Sequence, residues 1–204
     1  MNIGIINTFT SNIKSVFNAL DFLGYHNYSE IKSTDKNDNF SHLIFPGNGS
    51  FKDNIDKVRE LKLDHFIIDH FNNNKFFLGI CIGMQILATS GEENSLSSGL
   101  NIIPGKVKKI SVKKKRLPHI GWNEIKIKKD DGIFNNFDKS NNSFYFLHSY
   151  SYEVESEKNL LATTNYDVDV TAIVKKNNFY GVQFHPEKSQ HQGLKLIDNF
   201  LKLK

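Results

Sequence analysis

The chain has 204 residues, of which 39% are hydrophobic and 24% are charged, and it carries a formal net charge of +4. This length and composition are typical of one globular domain with a substantial core. No apolar run approaches the roughly 20 residues that a membrane-spanning helix needs, and the first residues lack the basic flank of a signal peptide. The single cysteine leaves no partner for an internal disulfide. We therefore expect a cytoplasmic protein that neither spans a membrane nor depends on disulfides.

Basic residues concentrate between Lys106 and Arg116. Such a run can be the solvent-facing side of a surface hairpin, or a docking patch for an acidic partner or an anionic substrate. Nucleic-acid-binding surfaces interleave aromatic residues with basic ones, and no aromatic residue lies among these lysines. Nucleic acid is therefore not an expected partner.

In the N-terminal half, short apolar runs alternate with amphipathic segments, which predicts strands joined by helices. The predicted strands are residues 2–6, 42–45 and 76–80, and the predicted helices are residues 12–23, 61–71 and one opened by residues 83–88. Strands separated by helices are typical of crossover units in a parallel sheet.

The C-terminal half has strand-like runs with short connections, followed by one helix. The predicted strands are residues 107–110, 124–127, 144–147, 160–164, 170–174 and 179–184, and the predicted helix runs from about 193 to 203. Short connections favour antiparallel additions to the same sheet. The sequence thus predicts an α/β fold with three αβα layers, formed by residues 1–204 as a single domain, in which a mostly parallel central sheet gains antiparallel strands.

The most informative segment runs from Phe76 to Gln85, where a continuous apolar run meets Cys81 and turns at once into a helical pattern. Gly79 and Gly83 lie two residues before and two after the cysteine. A nucleophile on a sharp strand-to-helix turn needs such glycines, because side chains there would collide with the turn. The helix start favours a thiolate, and its backbone N–H groups can face an oxyanion. The alternative is an inert buried cysteine between two packing glycines.

A second informative segment, Phe184-His185-Pro186-Glu187, ends an apolar run that begins at Tyr180. In an extended backbone, residues two apart face the same side, so His185 and Glu187 can project into one cleft. Pro186 is expected to keep the segment from coiling into a helix. A carboxylate beside an imidazole fixes its tautomer and stabilises the imidazolium that forms when a thiol loses its proton. Alternatively, these residues are an ordinary strand-end histidine and a capping carboxylate.

The string G-I-C-I-G-M-Q at residues 79–85, paired with F-H-P-E at 184–187, resembles the triad (class I) glutamine amidotransferases. The strings P-H-I-G-W-N at 118–123 and H-P-E-K-S at 185–189 are similar to one branch of that family, the glutaminase subunits of imidazole glycerol phosphate synthase. The likeness covers nearly the whole chain. It implies hydrolysis of L-glutamine to glutamate and ammonia, with no cofactor and no metal.

The resemblance implies that Cys81 is the nucleophile, His185 the general base and then acid, and Glu187 the residue that orients the imidazole. It assigns the other site residues to three groups: the oxyanion donors Gly49 and Ile82, the substrate-binding residues Gly47, Gln85, Ser149 and Tyr150, and the partner-interface residues Asn12, Trp122 and Lys188. The chain departs from the usual family pattern at residues 7–12, and by having Asn48 and Ser50 in the oxyanion loop.

The resemblance also implies a partner, a (β/α)8-barrel synthase subunit that forms a heterodimer with the glutaminase and receives its ammonia for histidine biosynthesis. A paralogue that supplies a sugar amidotransferase in surface-polysaccharide synthesis is the main alternative, favoured by the stretch at residues 88–90 and the tail at 188–193. Two further alternatives are a stand-alone cysteine hydrolase or peptidase, which would turn over without a partner, and a non-catalytic binding module.

Overall fold

The computed structural model describes residues 1–9, 13–33, 39–138 and 142–204. Its strands, in chain order, are β1 Ile3–Ile6, β2 Tyr28–Ile31, β3 His42–Gly47, β4 Phe76–Cys81, β5 Ser90–Gly91, β6 Ser97–Ser98, β7 Gly105–Lys109, β8 His119–Ile127, β9 Ser143–His148, β10 Tyr150–Val154, β11 Leu160–Tyr166, β12 Val168–Lys176 and β13 Phe179–Val182. Its α-helices are α1 Ile13–Phe22, α2 Phe51–Glu60, α3 Leu63–Asn72, α4 Ile82–Gln85 and α5 Gln190–Leu201. Short 3-10 turns occupy Gly132–Phe134, Glu157–Asn159 and Pro186–Lys188.

The main sheet has nine strands in the order β2-β1-β3-β4-β13-β12-β11-β8-β9. The strands from β2 to β13 in this order pair in parallel, and the remaining pairs are antiparallel. The predicted fold class, an α/β fold with a parallel sheet extended by antiparallel strands, is therefore confirmed.

The helices cover both faces of the sheet. The crossover from β1 through α1 runs one way along the sheet, and the crossover from β3 through α2 and α3 runs the other way. Because such crossovers are right-handed, the two sets of helices lie on opposite faces. The hydroxyl of Tyr25, just after α1, donates a hydrogen bond of 3.0 Å to Asp198 of α5, which ties these two helices together on one face.

A second, four-stranded sheet has the order β10-β7-β5-β6. The prediction that residues 107–110 join the main sheet is wrong, because β7 pairs antiparallel with β10, with Val107 opposite Tyr152. The proposed local hairpin of the basic segment is wrong for the same reason. Pairing between strands so far apart in sequence leaves no local pattern that could have revealed it.

Four elements of the N-terminal half were missed, and others have different ends. Strands β2, β5 and β6 and helix α2 were not predicted. The helix predicted for residues 61–71 begins only at Leu63, because Lys62 has a positive φ of 56° and separates it from α2. The helix predicted to open at residue 83 is a single turn. The predicted start of the first helix, Asn12, lies outside the described residues. In the described part of the chain, no helix is long and apolar enough to span a membrane.

Candidate active site

Cys81 is the last residue of β4 and lies on a strained turn. Its φ is 55° and its ψ is −110°, a backbone conformation that residues with a side chain rarely adopt. A Cβ atom added to Gly79 would lie 2.2 Å from the carbonyl oxygen of Gly83, and one added to Gly83 would lie 1.9 Å from that of Phe45. Both glycines are therefore required for the close packing of β3, β4 and α4 that holds the turn.

The thiol of Cys81 is buried, with 5% of the residue exposed. It donates to the carbonyl oxygen of Leu147 at 3.9 Å, and the Nε2 atom of Gln183 donates to the sulfur at 3.7 Å. Gln183 lies on the strand-end segment that leads into His185. The sulfur is thus held by polar groups from β9 and from the segment that follows β13.

The structure brings His185 and Glu187 together, as predicted, but by a different backbone path. The Nδ1 atom of His185 lies 2.9 Å from the Oε1 atom of Glu187. The expectation of an extended segment is wrong, because Pro186–Lys188 forms a 3-10 turn with the proline at its start. Proline is well tolerated in the first helical turn, where its missing N–H has no partner to lose. The hydroxyl of Ser189 donates to the carbonyl of His185 at 2.6 Å and fixes the turn.

The ring of His185 is buried between the carboxylate and the thiol. Burial by itself lowers the pKa of this imidazole, but the charge and hydrogen bonding of Cys81 and Glu187 outweigh it and raise the pKa to about 10. The Nε2 atom has no hydrogen-bond partner of ordinary length among the described residues. The thiol of Cys81 makes the largest contribution to the raised pKa of this imidazole. The arrangement favours the protonated form of this imidazole.

A cavity of about 240 Å³ opens next to the sulfur. Of the residues assigned from the resemblance, those that line it are Gly49, Cys81, Ile82, Gln85, Ser149, Tyr150 and Lys188. Gly47 does not line it; it pairs with Cys81 in the sheet and packs against Ile82 and Gly83. Ser149 separates β9 from β10, so the chain passes from the large sheet to the small one at the cavity wall.

Gln85 and Tyr150 are connected at the cavity wall. The side-chain amide of Gln85 donates to the carbonyl of Tyr150 at 3.3 Å and to Gln183 at 2.9 Å. Its Oε1 atom is buried and has no hydrogen-bond partner in the described part of the chain. Because unpaired buried acceptors are costly, this oxygen is suited to receive a donor from a bound molecule.

A pair of neutral histidines supports the same carbonyl. His148 donates through Nδ1 to the carbonyl of Tyr150 at 2.8 Å, so its Nε2 atom must accept from Nδ1 of His119, 3.0 Å away. Burial lowers the pKa of His148 to about 4 and that of His119 to about 3. Both imidazoles therefore stay neutral, which keeps the direction of this hydrogen-bond chain fixed.

Sequence reasoning missed Glu93, which also lines the cavity. Its Oε2 atom accepts a hydrogen bond of 2.9 Å from the backbone N–H of Phe51. Burial raises the pKa of its carboxyl group. No motif surrounds this loop residue in the sequence, so only the fold brings it to the site.

Gln183 was also missed, although a signal for it exists, because it lies two residues before His185. We expect Gln183→Leu to lower kcat by about tenfold, since the sulfur of Cys81 loses a hydrogen-bond donor and the amide of Gln85 loses an acceptor. The measurement is Cys81-dependent hydrolysis of glutamine, with the rate of thiol alkylation by iodoacetamide against pH. A pH profile of alkylation identical to that of the unchanged protein would contradict a role at the sulfur. Gln192→Leu, at another buried glutamine, is the control.

Two of the three assigned interface residues are described. Trp122 is 49% exposed on β8. Its ring is edge-on to the ring of Tyr145, with 6.2 Å between the two ring centroids. Lys188 lies at the cavity wall. Asn12 lies outside the described residues.

The chain belongs to the class-I glutamine amidotransferase family, whose model matches residues 5–203. Members of this family are enzymes that hydrolyse glutamine. Among curated relatives, the chain is 41% identical over 206 residues to "Imidazole glycerol phosphate synthase subunit HisH" of Leptospira borgpetersenii, covering 98% of this chain and all of the relative. It is 38% identical to the protein of the same description from Pelagibacter ubique, covering both chains fully. It is 35% identical to that of Bacillus subtilis, covering 98% and 96% of the two chains.

Solved structures support the fold. A structure described as "PurLQS from Thermotoga maritima" superposes with a TM-score of 0.75 at 20% identity, over 98% of this chain and 97% of that one. A second, described as "glutamine amidotransferase", gives 0.74 at 17% identity, over 99% and 98%.

Proposed function

We propose that residues 1–204 form one glutaminase domain that uses a Cys81–His185–Glu187 triad and delivers ammonia to a synthase subunit making imidazole glycerol phosphate. The observation that carries this proposal is the buried, Glu187-bonded imidazole beside a cysteine on a strained turn at the wall of a cavity. Each group has the environment that thiol-based amide hydrolysis requires.

In the proposed reaction, the sulfur of Cys81 attacks the carboxamide carbon of glutamine. His185 holds the proton given up by the thiol and passes it to the leaving nitrogen, so that ammonia departs and a γ-glutamyl thioester remains. His185 then takes a proton from water as the water attacks the thioester, and glutamate and the thiol are released. Glu187 stabilises the imidazolium in both steps.

The tetrahedral intermediate of each step carries an oxyanion next to Cys81. The backbone N–H groups of Ile82 and Gly49 are the proposed donors, since both residues line the cavity. The carboxylate of Glu93, which also lines the cavity, is complementary to the α-ammonium group of glutamine. The unpaired Oε1 atom of Gln85 is a second acceptor for the same group, and backbone at Ser149 and Tyr150 completes the proposed subsite.

The proposed docking surface is an apolar patch beside the cavity. Ile120 and Trp122 are 59% and 49% exposed on β8, and Leu147, opposite Ile120 on β9, is 38% exposed and lines the cavity. Exposed apolar residues around a site mark a protein interface. A barrel subunit seated here, as in a cytoplasmic heterodimer, would receive ammonia without its release to solvent.

The test combines the chain with the (β/α)8-barrel synthase subunit of its own organism, glutamine and the synthase's nucleotide substrate. Formation of imidazole glycerol phosphate that depends on glutamine is the expected result, with little glutamine hydrolysis by the chain alone. Product formation only with a sugar amidotransferase from the same organism would move the chain to surface-polysaccharide synthesis. Full hydrolysis without any partner would favour a stand-alone hydrolase.

A further inference from the structure

Asn54 is hydrogen-bonded to the loop of residues 48–50, which lines the same cavity as Cys81. It is fully buried in the first turn of α2 and does not itself reach the cavity. Its Nδ2 atom donates to two carbonyl oxygens of the loop, that of Asn48 at 2.7 Å and that of Ser50 at 2.9 Å. The hydroxyl of Thr8 donates to its Oδ1 atom at 3.4 Å, which fixes the orientation of the amide.

The hydrogen bond to the carbonyl oxygen of Asn48 sets the orientation of the peptide group that links Asn48 to Gly49. In a trans peptide the carbonyl oxygen and the following N–H point in opposite directions. Because the oxygen of Asn48 points to Asn54 in the interior, the N–H of Gly49 points away from Asn54, towards the side on which the loop lines the cavity. Gly49 has a φ of 86°, a conformation that glycine adopts without strain.

The opposite orientation of this peptide would be unfavourable in this chain. The oxygen of Asn48 would lose its donor, and the N–H of Gly49 would face the Nδ2 atom of Asn54, donor against donor. The loop is also anchored at its end, where Ser50 caps α2 and Glu93 accepts from the N–H of Phe51. The side chain of Asn54 therefore favours one of two peptide orientations.

We propose that Asn54 is a positioning residue that holds the Asn48–Gly49 peptide with its N–H directed at the oxyanion site. The inference rests on the proposed glutaminase function and adds a residue that touches neither substrate nor thiol. The orientation of this oxyanion donor then depends on α2 as well as on the loop itself.

The test replaces Asn54 with leucine, which has a similar shape but no donor and leaves no room for a substituting water. Asn199→Leu is the matched control, because Asn199 of α5 is buried and its Nδ2 atom likewise donates to two loop carbonyls, those of Ile133 and Asn135, away from the cavity. Both variants lose the same kind of interaction, but only one loses it at the oxyanion loop.

We expect Asn54→Leu to lower the kcat of glutamine hydrolysis in the complex with the synthase subunit by tenfold or more, with KM changed less than threefold and iodoacetamide alkylation of Cys81 unchanged. The effect is of the order expected when an oxyanion donor is weakened but kept. Asn54→Ala, which removes the same donor, is measured as well, in case the leucine variant does not fold.

A kcat within twofold of that of Asn199→Leu would overturn the inference, as would a loss that appears only in KM. Failure of the proposed function itself would be recognised separately. In that case the unchanged protein would hydrolyse glutamine no faster than its Cys81→Ala variant.

Discussion

Cys81→Ala is expected to abolish glutamine-dependent synthesis while leaving the synthase partner able to use added ammonium salt. The alanine variant has no sulfur to form the γ-glutamyl thioester, and no other cysteine exists in the chain to replace it. Loss of a nucleophile in a comparable catalytic triad costs about 10⁶ in kcat. The measurement is product formation by the two-subunit complex, first with glutamine and then with ammonium chloride at a pH that supplies free ammonia.

Cys81→Ser is the matched variant, because a hydroxyl keeps nearly the same shape but is a far weaker nucleophile at neutral pH. It should fold and bind glutamine, and it should be almost as inactive as the alanine variant. If glutamine supported synthesis in either variant at the rate of the unchanged protein, Cys81 would not be the nucleophile. If ammonium also failed, the substitution would have disturbed the docking of the partner instead.

The nucleophile turn could be predicted from the sequence because its causes are local. An apolar strand, a cysteine and two glycines at fixed spacing suffice to specify a turn in which side chains at the flanking positions would clash. A Cβ atom added to Gly79 or Gly83 would clash as expected, because it would lie 2.2 or 1.9 Å from a backbone oxygen. For the same reason the alternation of strands and helices in the N-terminal half predicted the parallel part of the sheet.

The sequence predicted that His185 and Glu187 lie together, but it did not predict the backbone conformation that brings them together. A proline restricts the residue that precedes it to extended angles, and His185, which precedes Pro186, has them, with φ −101° and ψ 93°. Proline also fits the first turn of a helix, and the structure uses this second property. Residue His185 is therefore extended, as expected, whereas the segment from Pro186 onwards forms a 3-10 turn.

Residues that reach the site from far along the chain could not be predicted. Glu93 and Asn54 belong to a loop and a helix with no motif of their own, and only the packing of α2 against the site brings them near Cys81. The polar, charged sequence of α2 conceals its apolar face, Phe51, Ile55 and Val58, so even the helix was missed. The second sheet was missed for a similar reason, because its strands pair across long distances in the sequence. The passage of the chain between the two sheets at Ser149, which lines the cavity, was therefore missed as well.

Glu187→Gln is expected to fold and to lower kcat by about 10²- to 10⁴-fold, because the carboxylate both orients His185 and stabilises the imidazolium. The bond from Nδ1 of the imidazole to Oε1 is 2.9 Å long, and both side chains are at least 95% buried. Glutamine can present its amide nitrogen to the imidazole and so favour the wrong tautomer. Asp131→Asn is the matched control, because it removes another largely buried carboxylate, which pairs with Lys175.

The same substitution should change the pH dependence in a defined direction. Burial lowers the pKa of His185, whereas Cys81 and then Glu187 raise it, to about 10. Without the carboxylate the imidazolium loses its proton at a lower pH, so the alkaline limb of the kcat/KM profile should move to lower pH in Glu187→Gln. In Asp131→Asn that limb should stay where it is in the unchanged protein. An unaltered rate and an unaltered profile in Glu187→Gln would together remove this residue from the triad, and the burial of its carboxylate against the imidazole would then serve only the packing of the turn at Pro186.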